Sequence, residues 1–192
     1  HIATSLTAPW LQSFNAQDLA LLLNSYARLS EHSPKLLRLC SEELLWKMPD
    51  ATVQELAMVA NAYAKFMEFD ETLFRHLSAL VVRQADAVGA RHAANVLHAV
   101  ARVDSLSPPL FDALTDRVQV LATDLQHIGV AHVFYAIGRY AQRHEMSDNL
   151  GELLQVLAAQ LVASQRQRRS PLEVRHVVMV ARGCHQVEAY SE

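Results

Sequence analysis

The sequence has few of the residues that interrupt helices or crosslink small folds. It contains only five glycines, six prolines and two cysteines in 192 residues. Cys40 and Cys184 lie far apart and form no CxxC motif, which argues against a disulfide framework and is typical of a reducing compartment. Aromatic residues make up only 7% of the chain, while Leu, Ala and Val are abundant. This composition is typical of an α-helical protein.

Catalytic and membrane-spanning features are also missing. No apolar run reaches the roughly 18 residues of a transmembrane helix, and no Gly-rich phosphate loop, GxSxG elbow or HExxH motif occurs. The ten histidines make no i, i+4 pair, so a metal site is not expected. We therefore predict a protein that is not an enzyme, binds no cofactor, metal or small-molecule substrate, and does not insert into a membrane.

The charge balance does not favour nucleic-acid binding by the chain as a whole. Its formal net charge is −3, whereas proteins that rely on phosphate attraction are usually basic. Arg166, Arg168 and Arg169 form a local basic run that could contact phosphates, although such runs are more often solvated linkers. The chain begins at His1 without an initiator Met or a signal-like segment, so we expect a mature or fragmentary piece of a longer protein.

An internal repeat of 37 residues organises the sequence. A pattern of spaced apolar residues that ends in a cation and a large apolar residue returns at a constant offset, in residues 18–29, 55–66, 92–103 and 129–140. A weaker fifth copy spans residues 173–183. A single helix pair cannot cover its own apolar stripes, so neighbouring pairs must stack and share one core. The predicted fold is an all-α solenoid of about four to five helix-turn-helix repeats.

Helix starts and apolar stripes support this division. Thr52 and Glu55 have the spacing of a capping box, and Asn15 is expected to cap the first helix of repeat 1. The second helices are expected to begin after Ser33, Asp70, Ser107 and Ser147.

Each helix is expected to bury one stripe, and Cys40 falls on such a stripe as a packed, inert thiol. In the first helix of repeat 1 the expected stripe consists of Leu19, Leu22, Tyr26 and Leu29, and in that of repeat 2 it consists of Leu56, Val59, Tyr63 and Phe66.

These signals divide the chain into a lead-in, four full repeats, a basic linker and a partial repeat. The corresponding residues are 1–13, 14–50, 51–87, 88–124, 125–164, 165–170 and 171–192.

The core of the repeat, Leu-x-x-Leu/Val-x-x-Ala/Ser-Tyr-Ala-Lys/Arg-Leu/Phe, resembles the heptatricopeptide repeats of organellar RNA-binding proteins. These repeats often accompany a RAP domain and are similar in style to octotricopeptide and FAST-kinase-like helical repeats. The resemblance covers about residues 14–185; Val100 and Ile137 replace the signature Tyr, and no RAP-like segment follows. It implies a mitochondrial or plastid location and work in RNA processing or in an organellar ribosome.

The first helices also carry a polar residue and, four positions later, a cation at the same place in every full repeat. We call this set the cation column: Asn24 and Arg28, Asn61 and Lys65, His98 and Arg102, Tyr135 and Arg139. Stacking would align these residues into a track that suits single-stranded RNA, whose charges are also regularly spaced. Asn, His and Tyr beside the cations could bond to or stack on splayed bases.

The column has a second interpretation. Each cation lies near a helix C-terminus, where positive charge is favourable by roughly 0.3–1 kcal/mol, and the neighbouring acids Glu31, Glu68 and Asp104 weaken the local field. Leu21 and Met58 on the same face would suit a protein contact. We therefore predict an RNA-binding repeat protein of mitochondrial RNA metabolism, as a component of a mitochondrial ribosome or of another large ribonucleoprotein. The alternative is a protein-protein scaffold in a large organellar complex without direct RNA contact.

Overall fold

The structure, a computed structural model, describes residues 8–145, 149–166 and 172–190. All regular structure in these ranges is helical, which confirms the predicted fold class. The helices of these ranges are α1 (Ala8–Gln12), α2 (Ala16–Leu29), α3 (Pro34–Lys47), α4 (Val53–Phe66), α5 (Glu71–Arg83), α6 (Ala90–Arg102), α7 (Pro108–Val120), α8 (His127–Ala141), α9 (Asn149–Arg166) and α10 (Val174–Tyr190). Short 3-10 turns occupy Met48–Asp50, Ala85–Ala87 and Ala122–Asp124.

The helices form two layers, as a solenoid requires. The first helices α2, α4, α6, α8 and α10 pack side by side in chain order. The second layer runs from α1 through α3 and α5 to α7, and α9 packs on α8 and on the 3-10 turn at Ala122–Asp124. Each helix therefore contacts mainly its neighbours in the chain and in the adjacent repeat, which is the contact pattern of stacked repeats. The boundaries assigned to individual repeats remain a prediction.

The predicted helix starts are largely confirmed. Thr52 and Glu55 form a complete capping box, and Asn15 forms one with Asp18, where only an N-cap was expected. At the second helices, Ser33 and Asp70 accept hydrogen bonds from backbone N–H groups three residues on, whereas Ser107 occupies the N-cap without a side-chain bond. Ser147 lies outside the described residues.

The C-termini of the first helices follow the repeat even more closely. Ser30, Met67 and Asp104 have φ angles of 57°, 56° and 61°, in the left-handed region, and they lie 37 residues apart. The backbone N–H of the residue that follows each of them donates to the carbonyl oxygen five residues earlier, as Glu31 N–H does to Tyr26 O at 3.0 Å. This hydrogen bond is typical of a Schellman motif, in which the left-handed residue is usually glycine but here is not.

The apolar stripes are buried as expected except at the first repeat. Leu19 is fully buried, and Leu56, Val59 and Tyr63 of the second repeat are buried too. The prediction that Leu29 is buried is wrong, because its side chain is 73% exposed. Leu29 belongs to the first of the described first helices, so no preceding described helix of that layer covers it.

Tyr63 shows why the signature contains a tyrosine. Its ring is buried, and its hydroxyl donates to Leu37 O at 2.6 Å and lies 2.8 Å from Ser41 Oγ. Both partners belong to α3, so the bond ties a first helix to the second helix of the preceding repeat. Cys40, one residue before Ser41, is fully buried, and burial raises the pKa of its thiol to about 12, as an inert packed cysteine requires.

Helices α8 and α10 come unusually close. A Cβ placed on Gly183 would overlap Phe134 O and lie 2.8 Å from Phe134 C, and one placed on Gly138 would lie 2.8 Å from Gly183 Cα. The two glycines therefore let the backbones touch. None of the helices in the described ranges combines the length and apolar character that a membrane span requires.

Candidate nucleic-acid interface

The cation column lies along the first-helix layer, on the last turns of α2, α4, α6 and α8. Arg28 and Lys65 are exposed, and Arg102 and Arg139 are half-buried. The four polar partners Asn24, Asn61, His98 and Tyr135 are also half-buried. All eight side chains thus reach the surface of one layer, but their surroundings differ between the two halves of the solenoid.

In the N-terminal half the cations are available. Arg28 and Lys65 form no ion pair with another described residue. Asn61 Nδ2 donates to Ala57 O of its own helix at 2.9 Å, so this amide is already engaged within α4. Leu21, one turn before Asn24, is 47% exposed, so this half presents two free cations beside apolar surface.

In the C-terminal half the cations contact the helix end of the preceding repeat. Arg102 Nη2 lies 3.6 Å from Met67 Sδ, and Arg139 Nη2 donates to Asp104 Oδ1 at 2.7 Å. Met67 and Asp104 are the left-handed residues that end α4 and α6. Half of the column therefore also links repeats, a role that the sequence does not reveal because each contact joins residues 35 apart.

Three histidines converge beside this half of the column. The His98 and His132 rings stack with centroids 4.0 Å apart and planes 1° from parallel, and Tyr135 meets His98 edge-on at 5.2 Å. His132 Nδ1 donates to Asn95 Oδ1 at 3.2 Å, between residues 37 apart. His176 of α10 is 4% exposed, and its Nδ1 has no partner among the described residues. Stacking of the helices thus brings together histidines that lie far apart in the sequence.

These imidazoles are neutral at physiological pH. Burial, followed by the charges of His132, Arg102 and His176, lowers the pKa of His98 to about 3. Burial also lowers the pKa of His132 to about 4, reinforced by His176, Arg175 and Arg102. The pKa of His176 is lowered chiefly by burial and then by Arg175. Neutral, packed rings cannot attract phosphate by charge, so His98 contributes shape and packing to this surface.

A cluster of two arginines around one aspartate lies at the end of α8 and shares Arg139 with the cation column. Asp104 accepts from Arg139 through Oδ1 and from Arg143 through Oδ2. Next to it the rings of Phe111, Tyr140 and His144 form a continuous stack, with centroids 3.7 Å and 4.3 Å apart. Sequence reasoning missed this cluster because Arg143 and His144 follow the helix and do not recur at the repeat period.

Two other expectations from the sequence concern the basic run and metal binding. In the basic run, Arg168, Arg169 and the side chain of Arg166 lie outside the described residues. Among the residues that the structure does describe, no group of three or more His, Cys, Asp or Glu side chains is arranged to hold a metal ion.

Comparison with known proteins relates the chain to a family. Residues 3–145 match the family model of the RNA-editing substrate-binding complex 6 protein, so the match covers most of the chain and the first three repeats. No curated protein matched the chain. The match supports the RNA-associated class that the heptatricopeptide resemblance implies, without singling out heptatricopeptide repeats or a ribosome.

Proposed function

This chain belongs to the RNA-editing substrate-binding complex 6 protein family, and from that premise we propose that it is a non-catalytic helical-repeat subunit of a mitochondrial complex that binds RNA-editing substrates. The family match carries the proposal. The mitochondrial location rests on the heptatricopeptide resemblance, and the family favours an editing complex over the mitochondrial ribosome. Stacked helix pairs support a binding role because they offer an extended surface.

The proposal places single-stranded RNA on the first-helix layer. Arg28 and Lys65 are the exposed, unpaired cations of the column, and they occupy equivalent places in adjacent repeats. Two phosphates held by these cations would release counterions, so binding should weaken as salt rises. The acidic net charge of the chain makes such binding local and modest in strength.

The test compares two double charge reversals by titrating labelled single-stranded RNA at several salt concentrations. Arg28→Glu/Lys65→Glu should weaken binding and lower the slope of log K against log salt by about 1.4, since each phosphate contributes about 0.7 on single strands. Lys35→Glu/Arg38→Glu is the matched control, because it exchanges one Lys and one Arg on exposed positions of α3 in the second layer. Equal effects of the two variants would show that net charge alone matters.

A protein-scaffold function is favoured by exposed apolar side chains on the described surface. Trp46 is 85% exposed, Val120 72% and Val174 80%, and large apolar side chains at the surface often mark protein contacts. Purification of the tagged protein from mitochondria after nuclease treatment separates the two roles. Partners that remain bound in stoichiometric amounts support the scaffold, and loss of every partner with the RNA contradicts it. Recovery of ribosomal proteins as the main partners would overturn the editing-complex assignment.

A further inference from the structure

We propose that the cluster at the end of α8 is a nucleotide site for single-stranded RNA, in which Arg139 and Arg143 hold a phosphodiester and His144 stacks on the adjacent base. The inference rests on the RNA contact in the proposed function but concerns residues outside its exposed cation pair. Four observations at one place carry it: positive charge, spare hydrogen-bond donors, space and an aromatic stack.

The charge of the cluster is positive. Two guanidinium groups share the single carboxylate of Asp104. The C-terminal end of α8 adds roughly half a negative charge, and Asp112 lies near enough to Tyr140 to raise its pKa beyond the effect of burial. Asp112 does not line the cavity, so the positive surplus is local to the two arginines. The surplus is also accessible, because the Arg143 side chain is 58% exposed.

Hydrogen-bond donors are left over after Asp104 is bound. Arg139 Nη1 also donates to Gln142 Oε1 at 3.4 Å, while its Nε is buried and has no partner among the described residues. Arg143 uses only Nη2 on Asp104, and a guanidinium has five N–H donors. Planar, forked donors of this kind suit the oxygens of a phosphodiester, which they can hold in pairs.

There is space for a phosphate beside these donors. A cavity of about 250 Å³ is lined by Asp104, Arg139, Tyr140, Arg143 and His144, together with Ala101 and Leu106. A water molecule occupies roughly 30 Å³ of liquid, so the cavity can admit a phosphate group and part of its hydration shell.

The aromatic stack supplies a platform for a base. The Phe111 and Tyr140 planes are 2° from parallel, and His144 continues the stack at 20°. Phe111 and Tyr140 are buried, whereas His144 is half-buried and ends the series. A base that stacks on the outer face of His144 would extend a column that the core already holds rigid.

Asp104 makes the inference testable in both directions. The carboxylate competes with phosphate for both arginines, and it sits at the C-terminus of α6, where negative charge is unfavourable. Its left-handed backbone, with φ 61°, tolerates Asn well. Asp104→Asn should therefore keep the helix end while freeing the arginines.

The experiment measures binding of a fluorescent 12-residue oligouridylate to the purified chain by anisotropy, with thermal melting as the check on folding. Asp104→Asn should tighten binding about three- to tenfold, whereas Arg143→Gln and His144→Ala should each weaken it by a similar factor. Arg75→Gln, which removes an exposed cation of α5, is the control and should leave affinity unchanged.

Several outcomes would overturn the site. If wild-type protein binds the RNA but folded Asp104→Asn does not bind it more tightly, the carboxylate is only an inter-repeat tether. If a polyglutamate peptide of equal charge competes as well as the RNA, the cluster recognises acidic protein instead. Loss of binding in Arg28→Glu/Lys65→Glu with no effect of Arg143→Gln would preserve the proposed function and reject this site. If the wild-type chain does not bind the oligonucleotide at low salt, both proposed RNA contacts are wrong. The partners that survive nuclease treatment then still test whether the chain belongs to an editing complex.

Discussion

At the scale of single residues, the structure gives physical roles to side chains that the sequence marks only as apolar or charged. The signature tyrosine is the clearest case. The sequence predicts that Tyr63 is buried, but its bonds to Leu37 and Ser41 could not be predicted, since they cross from one repeat to the helix of another. Val100 and Ile137 fill the equivalent place by packing alone, as both are fully buried.

Removing the Tyr63 hydroxyl should lower the stability of the fold, whereas removing the equivalent hydroxyl of Tyr26 should not. Tyr63→Phe leaves Leu37 O without its side-chain donor in a buried site, so we expect the free energy of unfolding to fall by about 1–3 kcal/mol. Tyr26→Phe is the control at the equivalent position of repeat 1, where the ring is only half-buried. Urea unfolding of both variants measures the difference. Equal losses would mean that the two tyrosines are equivalent and that the α3 bonds are unimportant.

The buried histidines predict how stability depends on pH. Their pKa values in the folded chain, about 3 for His98 and about 4 for His132, lie below the ordinary value of 6.5. Between about pH 4 and pH 6.5 these histidines are therefore protonated in the unfolded chain but neutral in the folded chain. The stability of the fold is full above pH 6.5 and falls as pH drops toward 4. The slope should approach about 1.4 kcal/mol per pH unit for each histidine.

The urea midpoint between pH 7.5 and pH 5 measures this slope. His98→Gln should flatten it, whatever its effect at neutral pH, because one titrating group is gone. Gln155→Ala, which removes no titratable group at an exposed position of α9, should leave the slope as in the wild type. An unchanged slope in His98→Gln would mean that the imidazole stack is not what resists protonation.

At the scale of helices, the repeat period is visible in how helices end as well as in how they begin. Capping residues and the 37-residue offset predicted the starts of α3, α5 and α7. The left-handed ends at Ser30, Met67 and Asp104 could not be predicted, because none of them is a glycine or an asparagine, the residues that usually signal such an end. The close approach of α8 and α10 could not be predicted either, because the sequence does not show that Gly138 and Gly183 face each other.

Because α8 and α10 lie so close, one added methyl group at Gly183 should destabilise the chain locally, at α10. Gly183→Ala would press a Cβ against the Phe134 carbonyl, and overpacking of this kind costs about 1–3 kcal/mol. Because α10 lies at the end of the described stack and contacts mainly α8, its amides should exchange hydrogen faster while those of α2 and α4 stay protected.

Gly151→Ala is the control for helix propensity. A Cβ at Gly151 meets nothing within 4 Å, so alanine should stabilise α9 slightly, by up to about 1 kcal/mol. Uniformly faster exchange throughout Gly183→Ala would contradict a stack whose repeats depend mainly on their neighbours.

At the scale of the whole molecule, the fold could be predicted from the sequence and most of the site could not. Periodicity fixes which helix faces must be buried, so a two-layer stack follows from residues such as Leu56 and Val59. The chemistry of the surface depends on contacts between repeats, as when Asp104 binds Arg139 and Arg143. The cation column therefore separates into exposed Arg28 and Lys65 and two arginines that also link repeats.

Both proposed contacts require RNA to lie along the first-helix layer of this solenoid. Ultraviolet crosslinking of the purified chain to single-stranded RNA, followed by mass spectrometry of the peptides, tests this placement most directly. We predict crosslinks on peptides from the last turns of α2 and α4 and from residues 139–144, with none on α3, α5 or α7. Crosslinks confined to the second layer, or their absence at a salt concentration where RNA is bound, would contradict this placement of the RNA.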